Sequence, residues 1–496
     1  MLKITVILPI TALDRIVKSL LESGVRVKNK IFSGKNFLTV LSIILATIVT
    51  YLPYFKNTVG IDTSTMMLNQ RQMLQGYLSQ GRFGIVWFFD SFVKNYNNEI
   101  VPFMAVFLLI LIGIYFYFLL DNYLTNLSKM MKAIFAILFV NNPVIYAQLY
   151  FKLQAIEICL GILLVLVASH LCLLERPVRL VKFILSVILL SFAILIYQSF
   201  AFFIFSLFLF YLLIFPEKRR EVLQTFFPAL LVSGLVYIVV YWLYSLRVQY
   251  STYGAQTYLM WNRFASLGHL KQILMLGMLV AAVFFVILSI WTIVRARKYL
   301  TIDAHLLVLL LMSLLTFNVF FGNIIPTPRV YFGTFSVVGI GLLYTLVNRA
   351  RVWRFLAGSL AILSLLLTFG LAHKANVSFA NDVQLTQKVT NFANQKQAKT
   401  VVFIGNLQVG NQGAVNKIAD LFITGATRTS FFQFDEPLIS VRPYDFMRLQ
   451  GHDFPVADKA LRQAMVTKYE NLPAYPAAGA FIFDEDSQTV VVKLSD

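Results

Sequence analysis

Cysteine and acidic side chains are scarce: the 496-residue chain has two cysteines and 23 Asp plus Glu. Cys159 and Cys172 fall in one apolar run. Thirteen helical residues separate them by about 20 Å, too far for a disulfide within the chain. The cysteines have no metal-ligand or redox spacing, and disulfides are not expected to stabilise the exported parts. Charged residues make up only 13% and hydrophobic ones 58%, which excludes an ordinary soluble domain. No internal repeat is visible. A secretory signal is not expected either, since residues 1–10 are apolar but short and Asp14 to Lys35 follow without a small-residue cleavage site.

Long apolar runs are abundant. Mean hydropathy is +0.74, and runs near 20 residues match the roughly 30 Å of bilayer hydrocarbon. The expected fold class is a polytopic α-helical membrane protein of about eleven spans: 37–55, 100–120, 133–150, 155–174, 183–198, 200–215, 226–246, 272–294, 306–322, 331–347 and 355–372. Tyr197-Gln198-Ser199 is the break between two short spans, read as a tight hairpin. Basic residues recur in the N-terminal stretch and in every second loop, at Lys129 and Lys132, Arg176 to Lys182, Lys218 to Arg220, Arg295 to Lys298, and Arg349 to Arg354. The positive-inside rule makes those segments cytoplasmic and puts the C-terminus outside a cell (cytoplasmic) membrane.

The formal charge of +19 does not call for nucleic acid. Residues 373–496 hold equal numbers of basic and acidic side chains, so the excess belongs to the membrane part. Topology and anionic membrane lipid account for it. The expected organisation is a cytoplasmic amphipathic segment at 1–36, a transmembrane domain at 37–372 with outer loops 56–99 and 247–271, and an extracytoplasmic α/β domain at 373–496. In the last, a polar helix is expected at 381–397, a strand at 399–405, a helix at 457–470 and a hairpin at 480–494. It shows neither a Gly-rich phosphate loop nor a nucleophile elbow, leaving lid, recognition module and cap as open roles.

Loop 56–99 carries the candidate chemistry. Tyr51-Leu52-Pro53-Tyr54-Phe55 leads to Gly60-Ile61-Asp62-Thr63, then to Gln80-Gly81-Arg82-Phe83-Gly84 and Trp87-Phe88-Phe89-Asp90. Met66, Met67, Met73 and Leu74 among polar residues make an interfacial helix with Asp62 at its N-cap. Asp62 is either that cap or a base at the membrane surface, beside Arg71 and Arg82. Arg329 stands between two spans after Pro326-Thr327-Pro328, as a phosphate binder or as a snorkelling marker of the interface. Lys152 is a second candidate cation and Glu157 an ionisable group at a span end, unless the two simply pair. Gln198 would reach a sugar hydroxyl or satisfy its own turn. In loop 247–271, Trp261 and its tyrosines would stack on a sugar or form an aromatic belt. Tyr331 and Asp90 complete the set as secondary contacts.

The order of these features resembles the O-antigen glucosyltransferases of serotype conversion. These are membrane enzymes of the broad GT-C class that use polyprenyl-phosphate sugars. Asn141-Asn142-Pro143, Ile196-Tyr197-Gln198-Ser199 and Leu472-Pro473-Ala474-Tyr475-Pro476 with its terminal strand add to the likeness, which runs from about 40 to 494. Phe83 departs from the tryptophan expected after Gly-Arg. The resemblance implies inverting hexose transfer from a polyprenyl (undecaprenyl) phosphate donor to a cell-surface polysaccharide or lipid-linked oligosaccharide on the outer face. It assigns Asp62 as base, Arg329, Lys152 and Arg82 to the donor phosphate, and Arg71, Asp90, Glu157, Gln198, Tyr331 and Trp261 to sugar or acceptor. No metal or other cofactor is expected. A donor-synthesising glycosyltransferase and a flippase would act alongside it. A lipid-linked sugar flippase would instead place polar groups in mid-span, and an envelope-assembly scaffold would not need Asp62, Arg82 and Arg329 on one side.

Overall fold

The computed structural model describes residues 34–56, 58–174, 179–245, 299–321, 328–348, 350–407, 429–433 and 440–495. Expectations for the amphipathic segment up to residue 33, for loop 247–271 with Trp261, and for span 272–294 lie outside the described residues.

Among the described residues, eight helices are long and apolar enough to cross a membrane: Asn36–Phe55, Ile100–Tyr123, Lys129–Leu149, Lys152–Leu173, Arg179–Ile196, Pro216–Tyr244, Arg329–Val347 and Arg351–Gln395. The protein is therefore a polytopic helical membrane protein. The span expected at 306–322 falls in the Tyr299–Phe321 helix, and the one expected at 200–215 is a shorter apolar helix, Phe200–Ile214. The shortness of Phe200–Ile214 has a physical reason. Its fifteen residues reach only about 22 Å, and twelve of them are buried. Apolar on every side, it is an internal helix that packs against the Lys152–Leu173, Phe227–Ser245, Tyr299–Phe321 and Phe332–Val347 helices. Lipid faces lie on the outer helices, as in Leu231, Leu235, Ile238 and Trp242 at spacings of four, three and four residues.

We label the elements that position the site. Helix α1 (Gly34–Tyr51) ends in a 3-10 turn, Leu52–Phe55. The single interfacial helix expected after it is two, α2 (Thr63–Leu68) and α3 (Gln70–Ser79). Asn69 divides them: its backbone leaves the helical region, and its side chain accepts from Gln72 N at 3.1 Å to cap α3. Helix α4 (Phe83–Phe88) then packs on the end of α5 (Arg179–Ile196). The expected hairpin break at 197–199 joins α5 to the buried Phe200–Ile214 helix.

The last span does not end where the composition changes. Helix α6 (Arg351–Gln395) continues for 45 residues, about 67 Å at 1.5 Å per residue. The polar helix expected at 381–397 is its last third. The β1 (Thr400–Ile404), β2 (Phe481–Asp484) and β3 (Thr489–Lys493) strands form one sheet in the order β1-β3-β2. β1 runs parallel to β3, with Val401 opposite Val490, and β2 antiparallel, with Ile482 opposite Val491. Every residue of β1 and β3 is buried. One face packs on Met465 of α8 (Lys459–Lys468), and the other joins Leu385 and Val389 of α6 in the continuous core. Between β1 and α8 lies a helix not foreseen from the sequence, α7 (Arg442–Leu449).

The α4–α5 contact is testable. A Cβ on Gly84 would lie 2.6 Å from Ile196 N and 2.8 Å from Leu195 C, backbone atoms that cannot swing aside. Gly84→Ala is expected to cost about 1–3 kcal/mol, read as a lower thermal unfolding midpoint in detergent. Gly339→Ala, with nothing within 4 Å of the new atom, should be neutral or gain up to ~1 kcal/mol. Equal midpoints for the two variants would contradict the packing.

Candidate functional site

The site is built first by anchoring the aromatic end of α1. Tyr51 and Tyr54 donate to the carbonyls of Val140 and Leu149 at 2.9 and 2.8 Å. Asn376 of α6 donates to Pro53 O at 2.7 Å. The chain beyond is held by Lys152, whose Nζ donates to Thr58 O at 2.7 Å and Lys56 O at 3.2 Å above the Tyr54 ring. Gly60 then passes so close to Tyr150 that a Cβ would fall 2.0 Å from its carbonyl oxygen. Only a residue without a side chain makes that approach.

These constraints deliver Asp62 in the left-handed region, at φ 65°. Asp tolerates this conformation better than most residues, at a cost on the order of 1 kcal/mol. It occupies the N-cap position of α2, yet its side chain makes no cap hydrogen bond. The carboxylate is turned outward, and its Oδ1 accepts from Nη1 of Arg442 in an ion pair. The capping role open in the sequence is thus not the one adopted. Both side chains stay partly exposed, 30% for Asp62 and 21% for Arg442, so a ligand can reach them.

Two further arginines converge here. Arg82 follows Gly81, whose φ of +74° makes the turn. Its guanidinium lies 4.5 Å from the Tyr197 ring centroid and 5.4 Å from that of Tyr77, and donates to Gln154 Oε1 at 3.1 Å. Gln198 braces this turn by donating to Gln80 O, and to the Tyr237 hydroxyl at 3.0 Å. Arg329 lies flat on Phe151, 3.9 Å from the centroid, within electrostatic reach of Asp62, Arg82, Arg442 and Tyr197. Arg442 thus pairs with the Asp62 carboxylate, while Arg82 and Arg329 are held on aromatic faces, worth about 1–2 kcal/mol each when desolvated.

Arg442 comes from the far end of the chain through a series of contacts. Asp382 on α6 accepts from Ser430 Oγ at 2.6 Å and Phe431 N at 2.8 Å. Phe431 stacks on Phe446 at 4.5 Å, which fixes α7, and α7 packs on α2. Tyr150 ties the same segment to the membrane helices by donating to Thr429 O at 2.7 Å. Burial raises the carboxyl of Asp445 on α7 above its ordinary range, against the pull of Arg448 and Arg442.

Polar groups around the cluster await partners. Among the described residues, Ser64 Oγ, Tyr77 OH and Arg82 Nε are buried with no protein hydrogen bond. Burial pushes the Tyr77 phenol well above its ordinary value, so it remains a donor. Such orphaned groups are costly unless a ligand satisfies them.

The other sequence candidates are dispersed. Lys152 is 3% exposed and bound to backbone, which makes it a strut for residues 56–58. No ion pair joins it to Glu157, which is buried on the same span within electrostatic reach of Tyr77 and Tyr96. Arg71 and Asp90 are exposed, and no hydrogen bond or ion pair links them to the cluster. Tyr331 packs on Val144 and Ala147. Sequence reasoning missed Arg442 and Tyr77. Arg442 is 380 positions from Asp62, and no local pattern connects them. Tyr77 does not differ, in sequence terms, from the other aromatics of an interfacial loop.

The strut role has a direct check. Lys152→Met is expected to lower the unfolding midpoint by about 1–3 kcal/mol of stability, the worth of charged hydrogen bonds to buried carbonyls. A variant as stable as the parent would return Lys152 to the pool of ligand-binding cations.

A sequence model of the family described as glucosyl transferase GtrII matches residues 51–346, more than half the chain. Comparison with curated proteins and with solved structures found no match. The matched region starts at the aromatic end of α1 and contains Asp62, Arg82, Gln198 and Arg329, whereas Arg442 lies beyond it. The chain belongs to the GtrII glucosyl transferase family and is a membrane glycosyltransferase.

Proposed function

We propose that this glucosyltransferase moves glucose from a polyprenyl-phosphate donor to a cell-surface polysaccharide or its lipid-linked precursor, on the outer face of the cytoplasmic membrane. The observation that carries the reading is the Asp62 carboxylate paired with Arg442 at the ends of apolar helices, with Arg329 within electrostatic reach of Asp62, Arg82 and Arg442. A sugar on a polyprenyl phosphodiester presents one negative charge at headgroup level. When it leaves, the phosphate becomes a monoester of higher charge. Guanidiniums placed there gain most as that charge develops, which is what speeds a reaction rather than merely binding its substrate.

The chemistry balances with the groups at hand. The acceptor hydroxyl attacks the anomeric carbon from the face opposite the phosphate, and the bond from that carbon to the phosphate oxygen breaks with its electron pair. Asp62 takes the hydroxyl proton, and polyprenyl phosphate departs against Arg82 and Arg329. Configuration at the anomeric carbon inverts. Because phosphate is a good leaving group, no acid partner is required, unlike glycoside hydrolysis with its two carboxylates. No metal enters this scheme. The orphaned Ser64, Tyr77 and Arg82 groups are suited to sugar hydroxyls. The basic-loop pattern puts this end of the bundle outside.

Transfer from polyprenyl-phosphate glucose by purified protein in lipid nanodiscs tests the assignment. Asp62→Asn is expected to lower kcat by about 100-fold or more, the usual worth of a general base, with an unfolding midpoint close to the parent's. Transfer within a few-fold of the parent would remove Asp62 as the base. No transfer by the parent from this donor would remove the donor class.

A further inference from the structure

We propose that Arg442 is a donor-phosphate ligand, supplied by the C-terminal part of the chain and parked on Asp62 until a donor arrives. The inference rests on the polyprenyl-phosphate reading above and extends the site beyond residues 51–346.

Arg442 arrives on a rigid arm. It opens α7 with Pro443 beside it in the first turn. Tyr444 donates to Val401 O of β1 at 2.7 Å. Phe446 is held between Phe431, stacked at 4.5 Å, and Phe379, edge-on at 5.5 Å. Through these contacts α6 and the sheet aim the guanidinium at the membrane-embedded half of the site. Arg82 and Arg329 are in the same electrostatic neighbourhood. With Asp62 and Asp445 both acting on Arg442, the nearby Arg82 and Arg329 keep this neighbourhood suited to an anion.

The ion pair also sets an order of events. While Arg442 occupies Oδ1 of Asp62, that oxygen is not available to an incoming hydroxyl. A phosphate offers the guanidinium a bidentate partner of equal or higher charge. Moving Arg442 from carboxylate to phosphate frees the base only after the donor is seated.

Two alanine variants separate a ligand from a clamp. Binding of polyprenyl monophosphate to the full chain in neutral-lipid nanodiscs is measured for the parent, Arg442→Ala and Asp62→Ala. Loss of a phosphate ligand should weaken binding about 10- to 100-fold in Arg442→Ala. Asp62→Ala should bind as tightly as the parent or tighter, because it removes an anion from beside the phosphate and releases the arginine. A pair that only clamps α7 to α2 would give weaker binding in both variants, and that result overturns the proposal. Parent-like binding in Arg442→Ala overturns it as well. If Arg442→Ala fails to fold, Asp62→Ala still decides: weaker binding there is the clamp result. Competition by phosphatidylglycerol or inorganic phosphate as effective as by polyprenyl phosphate would mark a general headgroup or anion contact, again overturning it. A parent that binds no polyprenyl phosphate removes the donor reading itself, and the inference with it.

Discussion

The Asp62–Arg442 ion pair, with Arg329 and Arg82 in the same electrostatic neighbourhood, is the constraint that organises this protein. Like charges in one neighbourhood are stable only if each is held, and each is held differently. Arg82 rests on Tyr197 and Tyr77, Arg329 on Phe151, and Arg442 on Asp62 itself. The aromatics at the span ends therefore do more than mark the interface. They supply polarizable faces that hold Arg82 and Arg329 without tying either to a carboxylate. Lys152 shows the other course open to a cation at this depth: bound to backbone carbonyls, it shapes the chain that presents Asp62.

The two halves of the molecule are joined by one continuous helix. Because α6 runs without interruption from lipid into the sheet region, the C-terminal part has a fixed relation to the span ends. Asp382, Asn376 and Ser378 on its distal half bond residues 430–431, Pro53 and Thr429. The same turns of helix thus set both the aromatic end of α1 and the segment that supports α7. A change in α6 packing would be felt at both partners of the Asp62–Arg442 pair.

Much of this was legible in the sequence, for identifiable reasons. Hydropathy runs of 18 residues or more give spans directly, and the hairpin break at 197–199 was visible as three polar residues between apolar stretches. The β2–β3 hairpin followed from two short aromatic and β-branched runs around the acidic turn Asp484-Glu485-Asp486-Ser487. Asp62, Arg82 and Arg329 stood out because a charge at a span end needs a reason. The illegible parts depend on tertiary contacts. The burial of the Phe200–Ile214 helix could not be read, since an apolar sequence does not say whether lipid or protein surrounds it. The composition shift near residue 373 suggested a boundary, although a helix can cross from lipid to water without a break. Arg442 lies in a stretch with no apolar periodicity longer than two turns, and its partner is fixed by a fold that local pattern does not encode. Lys152 resembled a ligand because burial is invisible in sequence.

The most direct test of Asp62 as the reaction centre is the mass of the surface polysaccharide repeating unit in cells of the natural host. It would be measured with the parent protein present, with it absent, and with Asp62→Asn in its place at equal membrane abundance. The account requires one hexose fewer per repeating unit both in the absence of the protein and in the Asn variant. A repeating unit of unchanged mass in the Asn variant, with the hexose lost only when the protein is absent, would contradict it.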